Sequence, residues 1–114
     1  MAIRIDSGSR FWHWRERREL ICCVDARRQI RGRYGVQDVA DVECVHGMRF
    51  ILPLTARLQV LREGGLYAVR CDGKNGRVIR YTVWSLSEDE WRQLQQPGTR
   101  FDFETGTVIH GQAS

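Results

Sequence analysis

The chain has 114 residues, 42% hydrophobic and 28% charged, a balance that supports one packed core and excludes a disordered chain. Its formal net charge is +4, and its longest unbroken apolar run, Leu20–Val24, falls far short of the roughly 18 residues of a membrane helix. Cys22 and Cys23 are adjacent while Cys44 and Cys71 are isolated, which reads as free thiols; with no secretory h-region at the start, a cytoplasmic protein is expected.

In chain order, residues 9–19 fit either a short strand or the start of an arginine-studded helix. Leu20–Val24 reads as a strand, and Asp25–Arg31 as a helical turn capped by Asp25 or a hairpin connection. Ala40–His46 alternates, with Ala40, Val42, Cys44 and His46 on one face and Asp41 and Glu43 on the other. Arg49–Leu54 and Leu58–Leu61 are further strand candidates, Pro53 marking the first as an edge or a bulge.

The clearest unit is a hairpin from Gly65 to Trp84, turning through Gly73, Asn75 and Gly76, residues that tolerate the positive φ of a tight connection. Tyr67, Val69 and Cys71 share one face of its first strand. On its second, Ile79, Tyr81 and Val83 oppose Val78, Arg80, Thr82 and Trp84. Large residues on both faces predict a central position in the sheet. Ser87 followed by Glu90 is a capping box, with Leu86 and Trp91 as its staple, and predicts a short helix over about 88–95 that ends at Pro97-Gly98. The tail, Arg100–His110, reads as a second, smaller hairpin.

These elements predict an α+β, mainly β fold. It is a single small antiparallel sheet or partly open barrel with one short helix at 88–95. One domain is expected over 1–114, in which a basic and aromatic segment, 1–33, packs on a β-rich body, 34–114.

Seventeen of the eighteen basic residues are arginine, and Lys74 is the only lysine. Residues 1–33 hold nine arginines against Asp6, Glu16, Glu19 and Asp25, a local balance of +5, while residues 34–114 come to −1. Arginine presents a flat, permanently charged fork that pairs with phosphate or carboxylate and stacks on rings. Codon usage explains arginine in place of lysine; it does not explain charge gathered at one end.

Chemistry-bearing patterns are sparse. Cys44 and His46 share a strand face, and Cys22, Cys23 and Cys71 lie in the same predicted sheet, but the paired knuckles of a structural zinc site are absent. No serine sits in a nucleophile elbow, and only His13, His46 and His110 could serve a nucleophile as base. Asp38, Asp41 and Glu43 read as a solvated strand face, and no glycine run has the ending of a phosphate loop. No catalytic residue, metal or cofactor is therefore assigned, and a binding module ranks ahead of an enzyme.

The remaining constellation is Arg10, Trp12, Trp14, Arg15, Arg17 and Arg18, continued by Arg27, Arg28, Arg31 and Arg33. Exposed arginines with exposed rings can follow a phosphate backbone while stacking bases. The competing expectation is that Phe11, Trp12 and Trp14 anchor the first element in the core. The leading reading is an N-terminal arginine and aromatic face that engages nucleic acid. The alternative is a module binding an acidic protein surface, since Trp, Tyr and Arg also dominate protein interfaces; no membrane partner is expected.

A third reading comes from a resemblance. Leu61–Arg70 followed by Arg77–Tyr81 resembles the central hairpin of RelE/ParE-type toxins, small basic proteins whose ribonuclease members cut ribosome-bound messenger. The resemblance implies Arg70 and Arg80 as phosphate-facing residues. It does not extend to that family's paired N-terminal helices, because residues 36–61 alternate as strands do, nor to its lysine-rich end.

Overall fold

The computed structural model describes residues 9–111. The β-branched, period-two runs form β1 (Ser9–Phe11), β2 (Glu19–Gly32), β3 (Gly35–Cys44), β4 (Arg49–Pro53), β5 (Leu66–Lys74) and β6 (Arg77–Ser85), followed by α1 (Glu88–Leu94), β7 (Arg100–Asp102) and β8 (Thr107–Ile109). The first six make one sheet in the order β1-β4-β3-β2-β5-β6, curled into a half-barrel, and β7-β8 is a separate two-stranded sheet. The fold is thus mainly β with one short helix, as the patterning predicts. One edge departs from pure antiparallel pairing: β1 runs parallel to β4, with Arg10 opposite Phe50.

β2 lies between β3 and β5, and a bulge between Val24 and Ala26 divides it. Before the bulge Leu20, Cys22 and Val24 face the inside of the curl; after it, the extra residue has shifted the alternation and Arg27 takes the inner position opposite Ala40. Asp25–Arg31 is therefore strand, neither a helical turn nor a connection. The bulge is held by the Glu63–Gly65 loop: Val24 N–H donates to the Gly65 carbonyl (3.0 Å), Gly64 N–H to that of Val24 (2.8 Å) and Arg27 N–H to the Glu63 carboxylate (2.7 Å).

Leu58–Leu61 is not a strand. Ala56–Leu58 forms a 3₁₀ turn, and Leu58 and Leu61 are both fully buried, anchoring the loop in the mouth of the curl. Nor is the β5–β6 hairpin central, since β6 is an edge strand. Its two apolar faces have a different cause. Tyr67, Val69, Tyr81 and Val83 join the core inside the curl, while Ala68 and Trp84 on the opposite face join a second cluster with Leu86 just ahead of α1, Leu94 of α1, and Phe101 and Phe103 of the C-terminal hairpin. Asn75 (φ 54°) and Gly76 (φ 77°) make the tight turn, and the Ser87–Glu90 capping box opens α1 with both reciprocal bonds formed, 3.1 and 2.9 Å.

Candidate nucleic-acid interface

Trp12 and Trp14 are drawn inward because the chain leaving β1 must cross the open side of the half-barrel. Trp12, buried, meets Phe50 of β4 edge-to-face at 5.0 Å and Trp14 at 5.4 Å, and Trp14 in turn meets Tyr81 of β6 at 5.3 Å. This row of rings spans from one side of the curl to the other. The two tryptophans are thus packed on the core, Trp12 buried and Trp14 half-buried. Their Nε1 atoms are buried with no hydrogen-bond partner among the described residues.

The arginines of the predicted face do not stay together. Arg10 is exposed on the edge strand β1. Arg15, Arg17 and Arg18 occupy the turn after Trp14, where Glu16 and Arg17 N–H groups both donate to the His13 carbonyl; the Arg17 guanidinium sits 5.6 Å from the centre of the Phe50 ring. Arg27, turned inward by the bulge, donates to the carbonyls of Gln59 (3.1 Å) and Leu61 (2.9 Å) and to the Gln59 side chain. Arg28 forms a two-pronged pair with Asp41, at 2.7 and 3.0 Å. Arg31 and Arg33 are exposed at the far end of the β2–β3 hairpin. A strand rises about 3.3 Å per residue, so β2 holds Arg18 and Arg31 about 40 Å apart, along a molecule with extents of 53 × 34 × 22 Å.

Two basic regions result. At one end the Arg18 carbonyl accepts the Cys71 N–H (2.8 Å), which brings the Arg15–Arg18 turn beside the β5–β6 hairpin with its Arg70, Lys74, Arg77 and Arg80. Arg17, Arg18, Arg70 and Asp72 line a recess of about 490 Å³ there. Asp72 holds both Arg70 (Nε, 3.2 Å) and Arg80 (Nη2, 3.5 Å), the two residues singled out by the toxin resemblance. A cleft of about 570 Å³ between sheet and C-terminal hairpin adjoins it, lined by Glu19, His46, Arg70, Arg100, Phe101, Asp102 and Glu104, a mixture of charges rather than an anion site.

At the other end the hairpin projects. β5 pairs with β2 only over Glu19–Cys23, and β4 with β3 only over Val39–Glu43, so Ile30–Gln37 extends as a two-stranded ribbon beyond both neighbours. Its base is tied by Asp38, which accepts from Gln29 and from Gln59, each at 3.0 Å. Its tip is Gly32-Arg33-Tyr34-Gly35, closed by Gly35 at φ 115°, where a side chain would be strained. Tyr34 is 94% exposed and Val36 59% exposed.

No family model, no curated protein and no solved structure matches this chain. The toxin resemblance ends at the hairpin itself, since the described residues before it form strands and the α-helix comes after it.

Tyr34 is the exposed ring beside arginine that the sequence reasoning missed. The signal available was the spacing Gly32-Arg33-Tyr34-Gly35, a turn flanked by glycines, masked by placing the turn at Asp25–Arg31 instead. The cysteines and His46 form no metal-binding group: among the described residues no set of three or more His, Cys, Asp or Glu could hold a metal ion. No helix among them is long and apolar enough to cross a membrane.

Proposed function

We propose that this chain is a small non-enzymatic module that binds nucleic acid in the cytoplasm, with the Ile30–Gln37 ribbon as its contacting element. The observation that carries this reading is the 94% exposure of Tyr34 at a projecting tip, next to Arg33 and three residues after Arg31. A soluble chain gains nothing in stability by holding an aromatic ring in water, whereas such a ring stacks on a base or wedges against one. A two-stranded ribbon also fits a B-form major groove, about 12 Å wide. In this mechanism Arg31 and Arg33 contact phosphates and set the register, and Tyr34 contacts bases. Arg15, Arg17 and Arg18, about 40 Å away along β2, reach a more distant stretch of backbone. Arg27 and Arg28 act only by shaping the ribbon's base.

The second reading, an acidic protein surface as the partner, draws on Val36, whose 59% exposure adds apolar contact area beside Tyr34. Titration of labelled duplex and single-stranded DNA and RNA at two salt concentrations separates them. Under the leading reading at least one probe binds, with affinity falling steeply between about 50 and 200 mM salt, and the Arg31→Ala/Arg33→Ala variant weakens binding and lowers the slope of log affinity against log salt by about 2. No binding at tens of micromolar protein and low salt, about the range of non-specific affinity, overturns it.

A further inference from the structure

Cys22 of β2 and Cys44 of β3 are directly opposed in the register of two antiparallel strands. The hydrogen bonds around them define the kind of pair: Val45 N–H donates to the Ile21 carbonyl (3.1 Å), and Cys44 N–H turns away to Met48 (2.7 Å). The two cysteines therefore occupy a non-hydrogen-bonded site, where opposed Cα atoms lie about 4.5 Å apart and side chains are closest. That separation lies within the range of about 4.4–6.8 Å spanned by disulfides. Both side chains belong to the same inner face, Cys22 in the core and Cys44 packed against it. Both are free thiols, and Cys44 is half-buried, opening on a cavity of about 250 Å³ that it lines with Arg17, His46 and Met48.

We propose that Cys22 and Cys44 form a dithiol site that a hydroperoxide oxidises to a cross-strand disulfide, with Cys44 as the sulfur attacked through the cavity and Cys22 as the resolving thiol. The Cys44 thiolate attacks the terminal peroxide oxygen; the O–O bond breaks, the leaving oxygen takes a proton to give water or an alcohol, and Cys44 becomes a sulfenic acid. The Cys22 sulfur then attacks the Cys44 sulfur. The S–S bond forms, the S–O bond breaks, and the hydroxyl leaves as water with the Cys22 proton. Two electrons pass from the thiols to the peroxide. Burial pushes the Cys44 thiol up to about 11 against the opposing pull of the Arg17 guanidinium, and burial raises Cys22 further, so the reaction is slow at neutral pH and faster in alkali. The site is independent of the ribbon and of what it binds.

Cys23 is the built-in control, because it points to the other face of β2 opposite Glu43 and shares its tryptic peptide with Cys22. The full chain is treated with hydrogen peroxide at about pH 9, where the thiolate fraction is larger, then denatured with an alkylating reagent, digested with trypsin and mapped by mass spectrometry. The expected product is an intramolecular link between the Glu19–Arg27 and Tyr34–Arg49 peptides, retained in Cys23→Ser and lost in Cys22→Ser. The Cys23→Ser/Cys71→Ser variant, which keeps only the proposed pair, forms the same link. The proposal is overturned by a link that survives Cys22→Ser, by a disulfide only between molecules, by sulfinic acid on Cys44 with Cys22 still alkylated, or by four unreacted thiols.

Discussion

Trp12 and Tyr34 are both aromatic residues set among arginines, and they have opposite fates. Trp12 is buried between Phe50 and Trp14, where it closes the open side of a half-barrel; Tyr34 stands 94% exposed at the end of a ribbon that no other strand among the described residues covers. Their neighbouring arginines divide in the same way. Arg27 and Arg28, within the sheet, are bound to Gln59, Leu61 and Asp41, whereas Arg31 and Arg33, beyond it, are exposed. What separates the two regions is what lies alongside: where β4 and the Glu63–Gly65 loop flank the β2–β3 hairpin, its arginines serve the fold, and beyond them its side chains are available to a partner.

The largest effect expected from breaking this division is Trp12→Ala, which should lower unfolding free energy by about 3–5 kcal/mol, read by denaturant titration. Tyr34→Ala should do the reverse. It leaves stability within about 0.5 kcal/mol but weakens nucleic-acid binding by about 1–3 kcal/mol if the ring stacks on a base. Equal loss of stability in the two variants would erase the distinction between them.

The arginines sharpen the comparison. Arg27→Ala strands two carbonyls in the mouth of the curl and should cost about 1–3 kcal/mol of stability, with the salt dependence of binding unchanged. Arg33→Ala should leave thermal unfolding unmoved and reduce the slope of log affinity against log salt by about 1. A smaller effect is expected at the second apolar face, where Ser87→Ala removes the α1 cap at about 1 kcal/mol without touching the ribbon.

The smallest concerns the β7–β8 hairpin and pH. Asp102 is held below its ordinary carboxylate range first by the Glu104 N–H (2.8 Å) and then by Thr105. A carboxylate depressed on folding stabilises above its unfolded pKa, about 3.9, and that contribution is lost as pH falls through the lower folded value. The protection of the Glu104 amide, taken relative to its intrinsic exchange rate at each pH, should therefore fall on acidification through that window in the wild type and stay level in Asp102→Asn.

Much of the fold was legible because its causes are local. Asn75-Gly76 set the β5–β6 turn, Ser87 and Glu90 set the start of α1, and the alternation of Leu20–Val24, Ala40–His46 and Arg49–Leu54 marked three strands, though β3 ends at Cys44, with His46 in the turn that follows, and β4 ends at Pro53. The errors lay where the cause was not local. Asp25 looks like a cap or turn residue in sequence, but pairing with β3 on one side and bonds from the Glu63–Gly65 loop on the other absorb it as a bulge. Leu58 and Leu61 look like strand residues, yet a curled sheet leaves a mouth that a turn with two buried leucines fills. The apolar outer face of β5–β6 suggested a central hairpin, and contact with α1 and β7–β8 supplies that burial at an edge instead.

The candidate site divides along the same line. Composition and order along the chain determined that the net positive charge lies in the first 33 residues and that it is carried by arginine, because charge and side-chain chemistry belong to each residue wherever it goes. Which arginines remain available was decided only by the tertiary structure. An extended strand carries neighbours in sequence to opposite ends of the molecule, one bulged residue turns Arg27 from solvent to the inside of the curl, and the point at which β4 and β5 stop leaves Tyr34 in water.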